Sequence, residues 1–164
     1  MPVTPSIQDR PCEAMTVVRN FFTYISSFCS LILFSFFLSF PLMADKLHLS
    51  CPHGKISFKV ELAQTPKELA KGLMNREKLD ENEGMLFLFP EPHATTMWMK
   101  DTLISLDMIF INLNGGIIAI EENTTPNSLK LIGPIDNTAQ VLELVAGTVK
   151  ENRISKECSV VTGS

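Results

Sequence analysis

The chain has 164 residues, 45% hydrophobic and 20% charged, which is enough apolar material for one buried core and too little length for a multidomain assembly. Fourteen Lys and Arg against eighteen Asp and Glu leave a net charge of -4 and a pI near 5.4, so there is no field to gather phosphates and nucleic acid is not an expected partner. Eight Gly and ten Pro are ordinary counts and exclude a low-complexity chain.

The first organised feature is an uncharged apolar run, residues 21–43, long enough to cross a hydrocarbon core as a helix. Its Phe, Ser and Leu mixture has no polar face, which separates it from a core helix and predicts export or membrane anchoring. Pro41-Leu42-Met43-Ala44 offers a turn and a small residue at which a signal peptidase can cut, although Leu42 is bulky for such a site. Met1 to Ala14 carries Asp9, Arg10 and Glu13 and lacks the positive start of a secretory segment, whereas Met15-Thr-Val-Val-Arg-Asn has it. The expected organisation is a leader over residues 1–44, acting as signal or anchor, and one β-rich domain over residues 45–164. The expected location is the periplasm, or the inner membrane facing it.

Within the domain, Ile56, Phe58, Val60 and Leu62 alternate with Ser57, Lys59 and Glu61, the period of a half-buried strand. Thr65-Pro66-Lys67-Glu68 then combines an N-cap, a first-turn proline and a capping-box acid, which predicts a short helix with Leu69, Ala70 and Leu73 on its apolar side, ending by Asn75. Gly72 costs such a helix about 1 kcal/mol relative to Ala and so predicts a close neighbour against that backbone. Met85–Phe89 is a continuous apolar run closed by Pro90 and reads as a buried strand. Leu106–Leu113 and Ile117–Ile120, joined by Asn114-Gly115-Gly116, read as a β-hairpin. Val141–Ala146 and Ser159–Thr162 read as further strands, with a long loop or rim from Glu121 to Gln140. The fold class is mainly β: an antiparallel sandwich or partly open barrel with one short helix, preceded by the apolar N-terminal helix.

Cys12 and Cys29 fall in the leader, leaving Cys51 and Cys158 in the domain. An exported domain permits one bridge between them, and the sequence equally allows two separate buried thiols.

Five motifs in order resemble the bacterial and archaeal domain-of-unknown-function family 192. They are Gly72-Leu73-Met74 with Arg76, Gly84-Met85-Leu86-Phe87, Trp98-Met99-Lys100 with Thr102, Leu106-Asp107 with Phe110, and Leu142-Glu143-Leu144 with Ala146-Gly147, spread through residues 46–161. The resemblance implies a compact, mostly antiparallel β fold with a short helix, commonly behind an export signal, and it implies no activity. Where that family usually carries Gly-Asp before its last strand, this chain has Lys156-Glu157-Cys158, which raises the hypothesis that a bridge from Cys158 to Cys51 replaces the turn.

The candidate site residues are Arg76, Trp98, Lys100, Asp107 and Glu143. Strand alternation through Trp98-Met99-Lys100 puts an indole and an ammonium on one surface, able to hold an anionic or sugar-like ligand; the competing reading is a core tryptophan beside a lysine that reaches to solvent. Asp107 and Glu143 each interrupt an apolar run. They therefore either face solvent or are buried with a partner, for which Arg76 is the expected cation. As a catalytic pair they would make a carboxylate-dependent hydrolase or lyase, whereas an Arg76 bridge would be structural.

His48, Cys51, His53 and nearby methionines are the ligand types of a soft metal, but their spacing fits no metal motif, and neither metal nor other cofactor is expected. No nucleophile sits beside a base, and His93 reads as a solvated loop residue. The expected function is therefore a binding module for a small molecule or an envelope component rather than an enzyme. The alternatives are the Asp107 and Glu143 hydrolase and a purely structural interaction module.

Overall fold

A computed structural model describes residues 45–161, and the apolar run at 21–43 with its expected helix, Cys12, Cys29 and Thr162 lie outside the described residues. Seven strands form a single sheet: β1 (Asp45–Cys51), β2 (Gly54–Ala63), β3 (Glu83–Met97), β4 (Leu106–Ile111), β5 (Ile117–Glu121), β6 (Ile132–Val145) and β7 (Ser159–Val161). Two short helices accompany them, α1 (Pro66–Lys71) and α2 (Thr148–Glu151). Among the described residues no helix is long and apolar enough to cross a membrane.

The strand order is β5-β4-β6-β3-β2-β1-β7. The sheet curls so far that its two outer strands meet at one end, where Val160 N donates to the Gly115 carbonyl at 2.8 Å and Gly116 bridges Ser159. The result is a partly open barrel, and the sandwich alternative is corrected because both core faces belong to one sheet. Gly115 allows this closure: it has φ +80°, and a Cβ there would come within 2.8 Å of the Val160 carbonyl oxygen.

The pairing is mixed, not wholly antiparallel, because β2 and β3 run parallel. Parallel neighbours need a crossover, and α1 lies in it. Thr65 caps α1 as expected: Glu68 N donates to Thr65 Oγ1, and the Glu68 carboxylate accepts from Thr65 N. At Gly72, where the helix ends, a Cβ would meet Phe87 Cζ at 2.9 Å, so the anticipated close neighbour is the Phe87 ring.

Period-two alternation divides the apolar side chains into two clusters. One, inside the curl, contains Leu49, Phe58, Val60, Leu86, Ile109, Leu142 and Leu144. The other, on the opposite face, contains Leu73, Met85, Phe87, Met99, Met108, Phe110 and Val141. The second face would be wet in a bare sheet, and the α1 segment and the turns after β3 and β5 cover it.

Three sequence expectations change. The strand at Met85–Phe89 extends to Met97, and the rim from Glu121 to Gln140 shortens to residues 122–131, because β6 begins at Ile132. His93 consequently lies on a strand, not in a loop. The β3 to β6 register shifts repeatedly between Leu88 and Met97, and Pro90 and Pro92, which lack an N–H, fall in the first shifted stretch. β1 and α2 were not expected at all.

Candidate functional site

Where β3 leaves its regular ladder, its outer half, α1 with the turn that follows, and the Trp98–Thr102 turn enclose a cavity of about 250 Å³. Glu143 of β6 reaches this cavity from the sheet. In register it lies between Met85 on β3 and Met108 on β4, both buried. Thioethers donate no hydrogen bond, and among the described residues none reaches the Glu143 carboxyl. The residue is only 4% exposed, and burial alone pushes its pKa up to about 8. An acid in this condition is neutral at pH 7, able both to donate and to accept a hydrogen bond.

The walls are apolar with a few hydroxyl groups. Leu69, Leu73, Phe87 and Phe89 supply carbon surface, and Thr95, Thr96 and Thr102 supply hydroxyls. His93 Nδ1 lies 3.0 Å from the Glu91 carbonyl, which can only accept, so Nδ1 is the donor there. In the neutral ring Nε2 then accepts from Thr95 Oγ1 at 3.3 Å. The His93 ring stands edge-on to Phe89 at 4.7 Å between centroids. Backbone bonds tie the walls together: Asn75 N to the Asp101 carbonyl at 2.8 Å, Met99 N to Ser128 O at 3.1 Å and Asn127 N to Thr102 O at 2.9 Å.

Trp98 stands at the mouth, 45% exposed, which corrects the core-tryptophan reading. Lys100 Nζ sits 5.5 Å from the centre of the indole ring. The two meet through a turn, not strand alternation, since β3 ends at Met97 and Asp101 has φ +53°.

Arg76 does not pair with Asp107 or Glu143. Its guanidinium donates to Glu61 on β2, and it does not line the cavity. Asp107 is opposite Leu144 in register, so it points into the curl, away from Glu143. There its Oδ1 accepts from Asn123 N at 2.9 Å, and its Oδ2 accepts from Gly147 N at 3.0 Å and Val149 N at 2.9 Å. This fully buried carboxylate joins β4 to the 122–131 loop and to the first turn of α2. The catalytic pairing of Asp107 with Glu143 has no geometric basis, because the sheet lies between them.

Cys51 and Cys158 are joined by a disulfide that spans 107 residues of sequence. His48 Nδ1 lies 2.7 Å from Ser57 Oγ, and His53 Nε2 lies 2.9 Å from the Asn152 carbonyl. No cluster of three metal-ligating side chains occurs among the described residues. Among the five predicted site residues, Trp98 and Glu143 line the cavity, Lys100 is tied to it through the Trp98 ring, and Arg76 and Asp107 lie elsewhere. Phe89, His93 and Thr95 were missed as site residues. The only sequence signal for them was a run of polar residues continuing an apolar strand.

The family model described as "Uncharacterized ACR" matches residues 49–162. The chain belongs to domain-of-unknown-function family 192. Two solved structures share the fold of this family-192 chain. A protein named "putative transcription regulator" from Sinorhizobium meliloti 1021 is 39% identical, with TM-score 0.69, over 72% of this chain and 94% of its own. A protein of unknown function from Novosphingobium aromaticivorans DSM 12444 is 33% identical, with TM-score 0.72, over 76% of this chain and 89% of its own. No curated protein matches the chain.

Proposed function

We propose that this protein is an exported domain of the cell envelope that binds a small molecule in the cavity above Glu143. One observation carries the reading: a buried carboxyl without a hydrogen-bond partner faces a cavity whose mouth bears the chain's single tryptophan. Among the described residues the enclosed side-chain atom without a partner is Gln140 Oε1, so the Glu143 oxygens keep access to the cavity, where a ligand hydroxyl or amide can bond to them. The charge-free run at residues 21–43, read as a membrane helix acting as signal or anchor, supports export. A transcriptional role, suggested by the name of the Sinorhizobium relative, finds no support in a net charge of -4.

The experiment is fractionation of cells expressing the full chain, followed by ¹⁵N NMR of the purified protein with a small-molecule mixture. The reading expects the protein in the envelope fraction and shifts confined to residues 69–74, 93–102 and 143. A cytoplasmic protein would overturn the export half, and an absence of localised shifts would overturn the binding half.

A second reading is favoured by the exposed Trp98, Leu103, Leu129 and Leu131, on two segments joined by the Met99–Ser128 and Asn127–Thr102 backbone hydrogen bonds. These apolar side chains suit contact with an envelope protein. Cross-linking in intact cells through residue 129 tests it, since a structural interaction module would yield one discrete adduct.

A further inference from the structure

Resting on the proposal that the cavity binds a small molecule, we infer that its ligand is an uncharged polyol of monosaccharide size, with a carbon face against the Trp98 ring and a hydroxyl on the Glu143 carboxyl. Size comes first. At about 250 Å³, the cavity is smaller than the roughly 300–1,000 Å³ of sites for drug-sized ligands. One ring with its substituents fills it.

Charge decides the class. An anion would need a buried cation, but Arg76 is held by Glu61, Lys100 sits over the indole, and Lys71 among the lining residues is exposed. Of the ionisable lining residues Lys71 and His93 are exposed and Glu143 is buried, an acid that would repel an anion once ionised. A cationic ligand would meet the Lys71 side chain among the lining residues and the Lys100 ammonium at the entrance, and the cation-attracting ring of Trp98 already faces Lys100. An uncharged molecule meets neither objection.

The polar groups suit hydroxyls. Thr95, Thr96 and Thr102 line the cavity, the Thr95 and Thr102 hydroxyls donating to His93 Nε2 and the Lys100 carbonyl and so left able to accept, and the Glu143 carboxyl, kept neutral by its burial, can donate to one ligand oxygen and accept from another. Phe87 and Phe89 with the Trp98 ring provide the flat apolar surface that the C–H face of a sugar or cyclitol needs. Amide and acid are near-isosteric, so Gln at position 143 keeps a donor and an acceptor, whereas Leu keeps neither.

The test uses the full chain, extracted from the envelope fraction in a non-glycosidic detergent, and follows Trp98 fluorescence. The probes are glucose, galactose, mannose, N-acetylglucosamine and myo-inositol, with propylammonium and propionate as charged probes. We expect at least one polyol to saturate the signal, Glu143→Gln to retain its affinity within about threefold, and Glu143→Leu to weaken it about tenfold or more, as loss of a buried hydrogen bond implies. Trp98→Ala, an exposed position that leaves the fold intact, should abolish polyol-induced NMR shifts at Thr95 and Thr102. That variant covers the case in which Glu143→Leu fails to fold. Saturation by propylammonium in place of every polyol, lost in Glu143→Gln, would overturn the polyol class while leaving the cavity a binding site, and so would saturation by propionate alone. A signal unmoved by all seven probes would overturn both the class and the binding reading.

Discussion

Asp107 and Glu143 occupy neighbouring strands one step apart in register, Asp107 opposite Leu144 and Glu143 opposite Met108, and therefore point to opposite faces of the same sheet. Two acids that look equivalent in the sequence thus meet opposite fates. Asp107 is buried with three backbone donors, and Glu143 is buried with none among the described residues. The first is committed as a structural anchor. The second stays protonated and available.

Asp107→Ala leaves the N–H groups of Asn123, Gly147 and Val149 without their acceptor, that of Val149 buried, and detaches both the 122–131 loop and α2 from β4. The expected loss is about 3 kcal/mol or more. Urea unfolding followed by circular dichroism checks it. Wild-type stability in the variant would refute the anchoring role.

Glu143 should give stability a reversed acid dependence. Its folded-state pKa, about 8, lies above the ordinary 4.5. Between those values the unfolded chain releases a proton that the folded protein retains, so the contribution of Glu143 to stability is fully present below about pH 4.5 and is lost as pH rises toward 8, by at most about 1.4 kcal/mol per unit. Above that range the slope flattens. Urea midpoints across pH 5 to 8 should show this fall in wild type and a shallower one in Glu143→Gln.

Reduction of Cys51–Cys158 opens a loop spanning 107 residues. Chain entropy sets the stabilisation from such a loop at up to about 4.7 kcal/mol. The melting temperature should drop in reducing buffer, and Cys51→Ser with Cys158→Ser should melt at the reduced value and ignore reductant. Equal melting temperatures with and without reductant in wild type would exclude the bond's contribution.

Gly84→Ala should disrupt the centre of the sheet. A Cβ there would fall 2.6 Å from the Glu143 carbonyl oxygen and 2.8 Å from Leu144 Cδ2, and backbone cannot swing aside as a side-chain tip can. A loss of about 2 kcal/mol or more is expected. Because the strain lies directly behind Glu143, amide shifts around the cavity should change along with the melting temperature.

The strands with clean alternation, such as Ile56–Leu62, and the capping box at Thr65 and Glu68 were legible because their signals are local. The outer half of β3 was not. Pro90, Pro92 and His93 read as loop because their departure from the ladder is bulged and supported only by the distant β6. The same distance hid the site. Trp98 and Glu143 announced themselves as unusual residues, but the partner of Arg76 was misjudged, since Glu61 looked like an ordinary solvent-facing position on its strand. The parallel pairing of β2 with β3 depends on how a crossover packs, which no residue pattern encodes.

The contact between Gly115 and Val160 brings together the two margins of the sheet, which would otherwise each present a row of free amides and carbonyls to other molecules. At that end the protein is its own neighbour. Lengthening the turn before β5, or adding a Cβ at Gly115, would open the seam and expose both margins, so the first symptom should be self-association on concentration rather than loss of secondary structure.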